Sequence, residues 1–177
     1  MSKSYEKFKI SIQDAINLMN LYDDHKKDPV KAEVLKRAGL IMALTAWETY
    51  VEDRLKESFD VRLKPLLGCE IGNYIQKKFS EELKRFHNPT SEKTRCIFKE
   101  FLSIDDITKE WKWSNYNSPK EVCAELDRWL KLRGEVVHNS KGVTSGQQAH
   151  VVSKDNLSKC ITFLEGLVEV FDSHLDE

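Results

Sequence analysis

Apolar residues recur at intervals of three and four along most of the chain, which is the signature of amphipathic helices. Phe8, Ile12, Ala15, Ile16 and Met19 make one stripe and predict a first helix from Tyr5 to about Tyr22. "DDHKKDP" breaks it. Asp28 is a natural N-cap and Pro29 fits the first helical position, so a second helix starts there and runs to about Phe59. Leu40, Leu44, Trp47, Val51 and Leu55 form its stripe, which Ala38 and Ile41 widen. A helix apolar over most of its surface belongs at the centre of a bundle.

The remaining elements are shorter. "RLKPLLGCEIG", with Pro65, Gly68 and Gly72, reads as a turn region. A helix follows over about Ile71 to Phe86, and "HNPT" ends it. Thr90 or Ser91 opens another, to about Leu102, and Ser103 is placed to cap a further turn or two through Trp111. "KWSNYNSP" is a loop. Ser118, Pro119 and Glu121 then form a capping box, and the helix they open reaches about Asn139. Ser153 starts the last helix, with Leu157, Ile161, Leu164, Val168 and Phe171 inward. "AHVV" (149–152) is the sole short strand candidate. The expected fold is all-α: an up-and-down helical bundle of five or six helices in one domain, 1–177.

Composition changes this picture little. Seven glycines and four prolines in 177 residues suit long regular elements, and a net charge of −1 shows no overall basic excess. That neither advertises nor forbids nucleic acid, and a local basic pocket could still bind a phosphate. Cys69, Cys96, Cys123 and Cys160 are widely spaced, with no C-x-x-C pair for zinc or redox work. They read as free, mostly buried thiols in a reducing cytoplasm. "MSKSYEKFKI" lacks the apolar core of a signal peptide. The most apolar run, Ala38 to Trp47, is too short for a membrane span, so no membrane association is expected.

The candidate chemistry lies in "LRGEVVHNS", 132–140. On the stripe Val122, Leu126, Trp129 or Leu130, the next inward place falls to Arg133, followed by Val137. A guanidinium stays charged, so one facing inward needs a carboxylate, a partner subunit or a bound anion. Its planar fork suits phosphate. His138 comes five residues later, about 140° around an ideal helix. The two side chains converge only if Arg133 bends, or if a second copy completes the pocket. Gly134 lies one turn before His138 and leaves room there for a backbone or a substrate. It is also placed to end the helix. Glu48, beside Leu44, Trp47 and Val51, is close enough to the buried side of the second helix to orient Arg133 or His138. Glu52 is weighed with it, and both also fit an exposed helix surface. Trp47 and Tyr50 read as core or interface rather than as base-stacking platforms.

Arg133-Gly-Glu-Val-Val-His138, followed by Asn139, resembles the hallmark of the HEPN superfamily: an arginine, four to six residues, then a histidine late in a helical bundle. "AWETYVEDRL" (46–55) is similar to the W-E-x-Y-x-E helix of the RiboL-PSP and related HEPN groups. The resemblance implies a homodimeric endoribonuclease that needs no metal or other cofactor. Arg133 and His138 would be catalytic, and Asn139, Gly134 and Glu48 would support them or bind substrate. RNA is the implied substrate, in a toxin or phage-defence system, with an antitoxin or other protein as partner. Active members often carry a polar residue directly after the arginine, where this chain has Gly134. The alternative is a non-catalytic HEPN-like module that binds protein or RNA, with Arg133 in a structural ion pair. A nucleotide-binding regulatory bundle ranks third, since the chain has no glycine-rich phosphate loop. The geometry of the pair separates the first two. An open positive cleft holding both side chains favours the enzyme. Arg133 against a carboxylate with His138 in bulk water favours the module.

Overall fold

A computed structural model describes residues 1–138 and 152–175. Six α-helices run in the order α1 (Lys3–His25), α2 (Pro29–Leu63), α3 (Glu70–Arg85), α4 (Ser91–Leu102), α5 (Pro119–His138) and α6 (Lys154–Leu175), with a 3₁₀ turn at Lys64–Leu66. No strand occurs among the described residues. Val152 is buried outside any element, and the rest of "AHVV" lies outside the described residues.

α2 is the central helix and touches α1, α3, α4, α5 and α6. The reason lies in its sequence. Leu40, Ala43, Leu44, Trp47, Val51 and Leu55 are all fully buried, so several faces of one 35-residue helix give up water contact at once. Trp47 meets Trp111 edge-on at 6.1 Å, and Phe171 of α6 packs within 6.0 Å of both Trp47 and Tyr50. Trp47 and Tyr50 are core residues, as their spacing suggests.

The start signals hold. Asp28 Oδ1 accepts from the amides of Val30 and Lys31, Ser118 Oγ from that of Glu121, and Ser153 Oγ from that of Asn156. Glu121 reaches back to the Asn117 amide, one residue before the cap.

Three local expectations are corrected. Ser103 opens no helix. It closes α4 in the left-handed conformation (φ 54°), its amide donating to the Lys99 carbonyl and that of Ile104 to the Phe98 carbonyl. The segment to Trp111 is then a set of turns, one pinned by Asp106 Oδ1 accepting from Thr108. Near the end of α5 the inward residue is Val136, not Val137, which is half exposed. A 3.6-residue period allows steps of three or four, and the step taken here is three. The cysteines are free, but only Cys160 is buried and Cys123 is intermediate. Cys69 is exposed because its sulfur caps α3, accepting from the Gly72 amide, and Cys96 lies on the outer face of α4. Burial pushes the Cys160 thiol far above the ordinary range.

A buried polar network ties α1 and α6 to α2. The Asp172 carboxylate accepts from the Ser2 amide (2.8 Å), the Ser2 hydroxyl and the Tyr50 hydroxyl (3.2 Å), and lies 3.1 Å from Arg54 Nε. Both charged side chains are at most 4% exposed. Removing one partner of such a pair leaves the other charge buried. Asp172→Ala should cost about 3–5 kcal/mol and lower the melting temperature by on the order of 10 °C. Thermal unfolding followed by circular dichroism checks this. A loss within the range of ordinary surface substitutions would show that the network adds nothing.

Candidate functional site

The site is built on adjacent residues of α2. Trp47 turns inward and its Nε1 donates to the Pro89 carbonyl at 3.1 Å. Glu48, the next residue, lies at the edge of the buried surface. Its Oε1 accepts from the Asn88 amide at 2.8 Å and its Oε2 from Arg133 Nη1 at 2.7 Å. Arg133 Nη2 donates to Asn88 Oδ1, also at 2.7 Å. Three residues from three parts of the chain thus close a ring of hydrogen bonds.

The loop between α3 and α4 is held from both sides. From α2 it receives Trp47 and Glu48. From α5, Asp127 accepts from the amide and hydroxyl of Ser91 (2.8 and 2.9 Å), and Arg133 takes Asn88. Asn88 has a positive φ of 56°. Asparagine tolerates this left-handed conformation better than most residues, and it directs both the amide and the side chain of Asn88 into the ring. Lys93 Nζ donates to the His87 carbonyl at 2.8 Å. The His87 side chain itself is 74% exposed, with Nδ1 4.0 Å from Glu48 Oε1.

The electrostatics follow from these contacts. Burial opposes ionisation of Glu48. Hydrogen bonds from Arg133 and the Asn88 amide, with the nearby positive charges, outweigh it and hold the carboxyl below its ordinary range. Glu52, one turn on, has burial and the Glu48 charge against it and is pushed up. Glu48, Glu52 and His87 bring ligand atoms within 4.8 Å of one another. Both Glu48 oxygens are already engaged, so a cation there would compete with the guanidinium for the same carboxylate.

The structure does not bring Arg133 and His138 together within one chain. Arg133 is 16% exposed and turned to α2 and the loop. His138 is exposed at the last described turn of α5, with no hydrogen bond or ion pair among the described residues. The separation agrees with the 140° expected of five residues. α5 runs through Gly134 to His138, so the glycine does not end it. A Cβ at Gly134 would meet nothing within 4 Å, so the space beside it is open. Asn139 lies outside the described residues. Asn88 and His87 were not singled out by sequence reasoning. The available signal was "HNP", a histidine before an asparagine suited to the left-handed conformation, just after a helix end.

A family model described as RiboL-PSP-HEPN matches residues 6–177. The chain belongs to this HEPN family. No curated protein and no solved structure gives a match. The all-α bundle agrees with the assignment, and in this HEPN chain the arginine of the R-x4-H stretch is one corner of the ring around Glu48.

Two outcomes test this geometry. In a double-mutant cycle, Glu48→Ala and Arg133→Ala should show a coupling of about 1–3 kcal/mol in urea unfolding. The folded-state carboxyl is held below its ordinary value of 4.5. The Glu48 contribution is therefore complete above that value and fades as pH falls through the lowered one. A coupling unchanged into strong acid would contradict the pair. Gly134→Ala should raise stability by about 0.5–1 kcal/mol, since it adds a methyl in open space on a helix. A loss in equilibrium unfolding would mean that the space is filled.

Proposed function

We propose that this HEPN chain is a metal-independent endoribonuclease acting as a homodimer. The observation that carries the reading is the braced arginine. Arg133 is fixed at one end by Glu48 and Asn88, on the helix that exposes His138 well around the axis from it. A guanidinium has five N–H donors, and these two contacts engage two of them. In the proposed reaction a base takes the proton from a ribose 2′-OH. The 2′-oxygen attacks the adjacent phosphorus, and Arg133 stabilises the charge on the phosphoryl oxygens. His138 is the base, since imidazole exchanges protons near neutral pH. Asn139 and Gly134 belong to the substrate side of this reading, and Glu48 to the support of Arg133.

A second copy is what completes the pair, because the two side chains of one copy diverge. The groove of about 340 Å³ beside the end of α5 supports this. It is lined by Val34, Arg37, Ala38, Ile41, Val136 and Val137, and Val34 and Val137 are half exposed. An apolar groove next to His138 fits a twofold contact between α5 helices. The resemblance adds RNA as substrate, a toxin or phage-defence setting and an antitoxin as partner.

One observation favours a second reading, a non-catalytic module that binds RNA or protein. Within a single chain, Arg133 lies against a carboxylate and His138 faces solvent, which is the arrangement expected of a structural ion pair. The ribonuclease reading therefore depends on dimerisation.

The test is RNA cleavage in EDTA by wild type, His138→Ala and Arg133→Lys, with light scattering at micromolar concentration. Wild type should cleave as a dimer. His138→Ala should abolish cleavage and change stability by no more than about 0.5 kcal/mol, as exposed substitutions do. Arg133→Lys should keep the charge, lose the two-pronged donation and cleave far more slowly. A monomer that leaves RNA intact would establish the module instead.

A further inference from the structure

Cleavage by 2′-OH attack needs two proton transfers. The 2′-oxygen must lose a proton, and the 5′-oxygen must gain one as it leaves. His138 answers the first requirement and nothing described on α5 answers the second. A second imidazole lies near the arginine's own partner. His87 Nδ1 lies 4.0 Å from Glu48 Oε1, while Oε2 of the same carboxylate holds Arg133 at 2.7 Å.

Two further observations set His87 apart from an ordinary surface histidine. The first is the contrast between its backbone and its ring. The loop carrying it is fixed at Asn88 by Glu48 and Arg133, at Pro89 by Trp47, at Ser91 by Asp127 and at its own carbonyl by Lys93. The ring projects into solvent from that clamped backbone. A proton donor must be both accessible and fixed relative to the group it serves. The second is the space next to it. A groove of about 610 Å³ between α2 and α3 is lined by His87 with Lys56, Lys84, Gln76, Ser80 and two acids, Glu52 and Asp60. That volume is in the range of small-ligand sites, and with two acids offsetting two lysines its neutral hydrogen-bonding groups suit the sugar and base of the leaving nucleoside rather than a phosphate.

We infer that His87 is the second proton-transfer residue of the ribonuclease site, with its imidazolium protonating the 5′-oxygen of the leaving nucleoside. The inference rests on the ribonuclease reading. The 2′-oxygen forms a bond to phosphorus and gives its proton to His138. The P–O5′ bond breaks, and the 5′-oxygen takes a proton from His87. The products are a 2′,3′-cyclic phosphate and a 5′-hydroxyl, and the two imidazoles recover their starting states by exchange with water. With Nδ1 on the Glu48 side, Nε2 is the nitrogen turned toward substrate. The charged groups around the ring and its groove are Glu48, Glu52, Lys56 and Asp60 from α2, Lys84 from α3, Lys93 from α4 and Arg133 from α5. Glu48 is the acid that faces Nδ1 directly.

The experiment compares two substrates. One is an ordinary RNA oligonucleotide. The other carries sulfur at the 5′-bridging position, which leaves without a proton. His87→Ala should cleave ordinary RNA about 10²–10⁴-fold more slowly than wild type, the usual worth of a general acid. It should cleave the sulfur substrate at close to the wild-type rate. His138→Ala should fail on both, because the base is needed whatever leaves. His87→Gln, which keeps a polar side chain on the loop, should behave as His87→Ala and covers the case in which the alanine variant does not fold. If wild type cleaves and His87→Ala matches it on ordinary RNA, the inference is wrong and the ribonuclease reading stands. The inference is equally wrong if His87→Ala is as slow on the sulfur substrate as on ordinary RNA, which marks a positioning role. If wild type cleaves neither substrate, the ribonuclease reading falls and takes this inference with it.

Discussion

The Glu48 carboxylate is where three parts of this chain are made to agree. One oxygen takes the Asn88 amide, which fixes the loop between α3 and α4. The other takes Arg133, which fixes the far part of α5 against α2. Asn88 closes the ring by accepting the second arm of the same guanidinium. A half-buried carboxylate with one partner would leave acceptor capacity unused on its buried side. With two donors, one of them cationic, it remains ionised despite its burial. A charged group at the edge of the core therefore serves as the joint between α2, α5 and the loop.

That joint needs a rigid base, and the rest of the core supplies it. Trp47 precedes Glu48 and is fully buried among Tyr50, Trp111 and Phe171. Aromatic packing of this kind fixes the register of α2, and with it the direction in which Glu48 points. The Asp172 network does the same from the other side, joining Arg54 and Tyr50 of α2 to α6 and to the start of α1. Polar groups here are costly only if a partner is missing, so each one restricts the packings available to its helix.

Much of this was legible in the sequence. Helix starts at Asp28, Ser118 and Ser153 could be read because a cap is a local hydrogen bond between near neighbours. The stripes of α2 and α6 were legible because burial follows the helical period. Reading failed where local chemistry has two uses. Ser103 fits an N-cap, yet the structure uses it as a left-handed C-cap. Cys69 caps a helix with its sulfur, an unusual choice that composition would not suggest. The site was half legible. Arg133 declared itself as a charge on an apolar stripe, and Glu48 as an acid beside one. Asn88 stands 40 residues from Glu48 and 45 from Arg133, with His87 beside it, and no periodicity links a loop to the helices that grip it.

The proposed ribonuclease reading sets two uses of Arg133 against each other. Its pairing with Glu48 resembles a structural ion pair, and a fully neutralised guanidinium would have no charge to offer a substrate. Donors and dielectric, considered together, relieve this. Glu48 and Asn88 each engage one N–H, and a guanidinium has five. The pair is also only partly buried, so the field of the carboxylate is screened at the outer edge of the guanidinium more than a dry interior would allow. A free arginine at that position would sample many rotamers and lose that freedom on binding phosphate. Held by Glu48 and Asn88, it has already lost it. The ion pair that lowers the net charge of the site thus also removes part of the entropic cost of using it, and for a reaction decided by placement within a fraction of an ångström the second effect favours catalysis. Under the proposed ribonuclease reading a second copy must supply the other half of the pair, since the helix that places Arg133 against α2 turns His138 away by its own pitch.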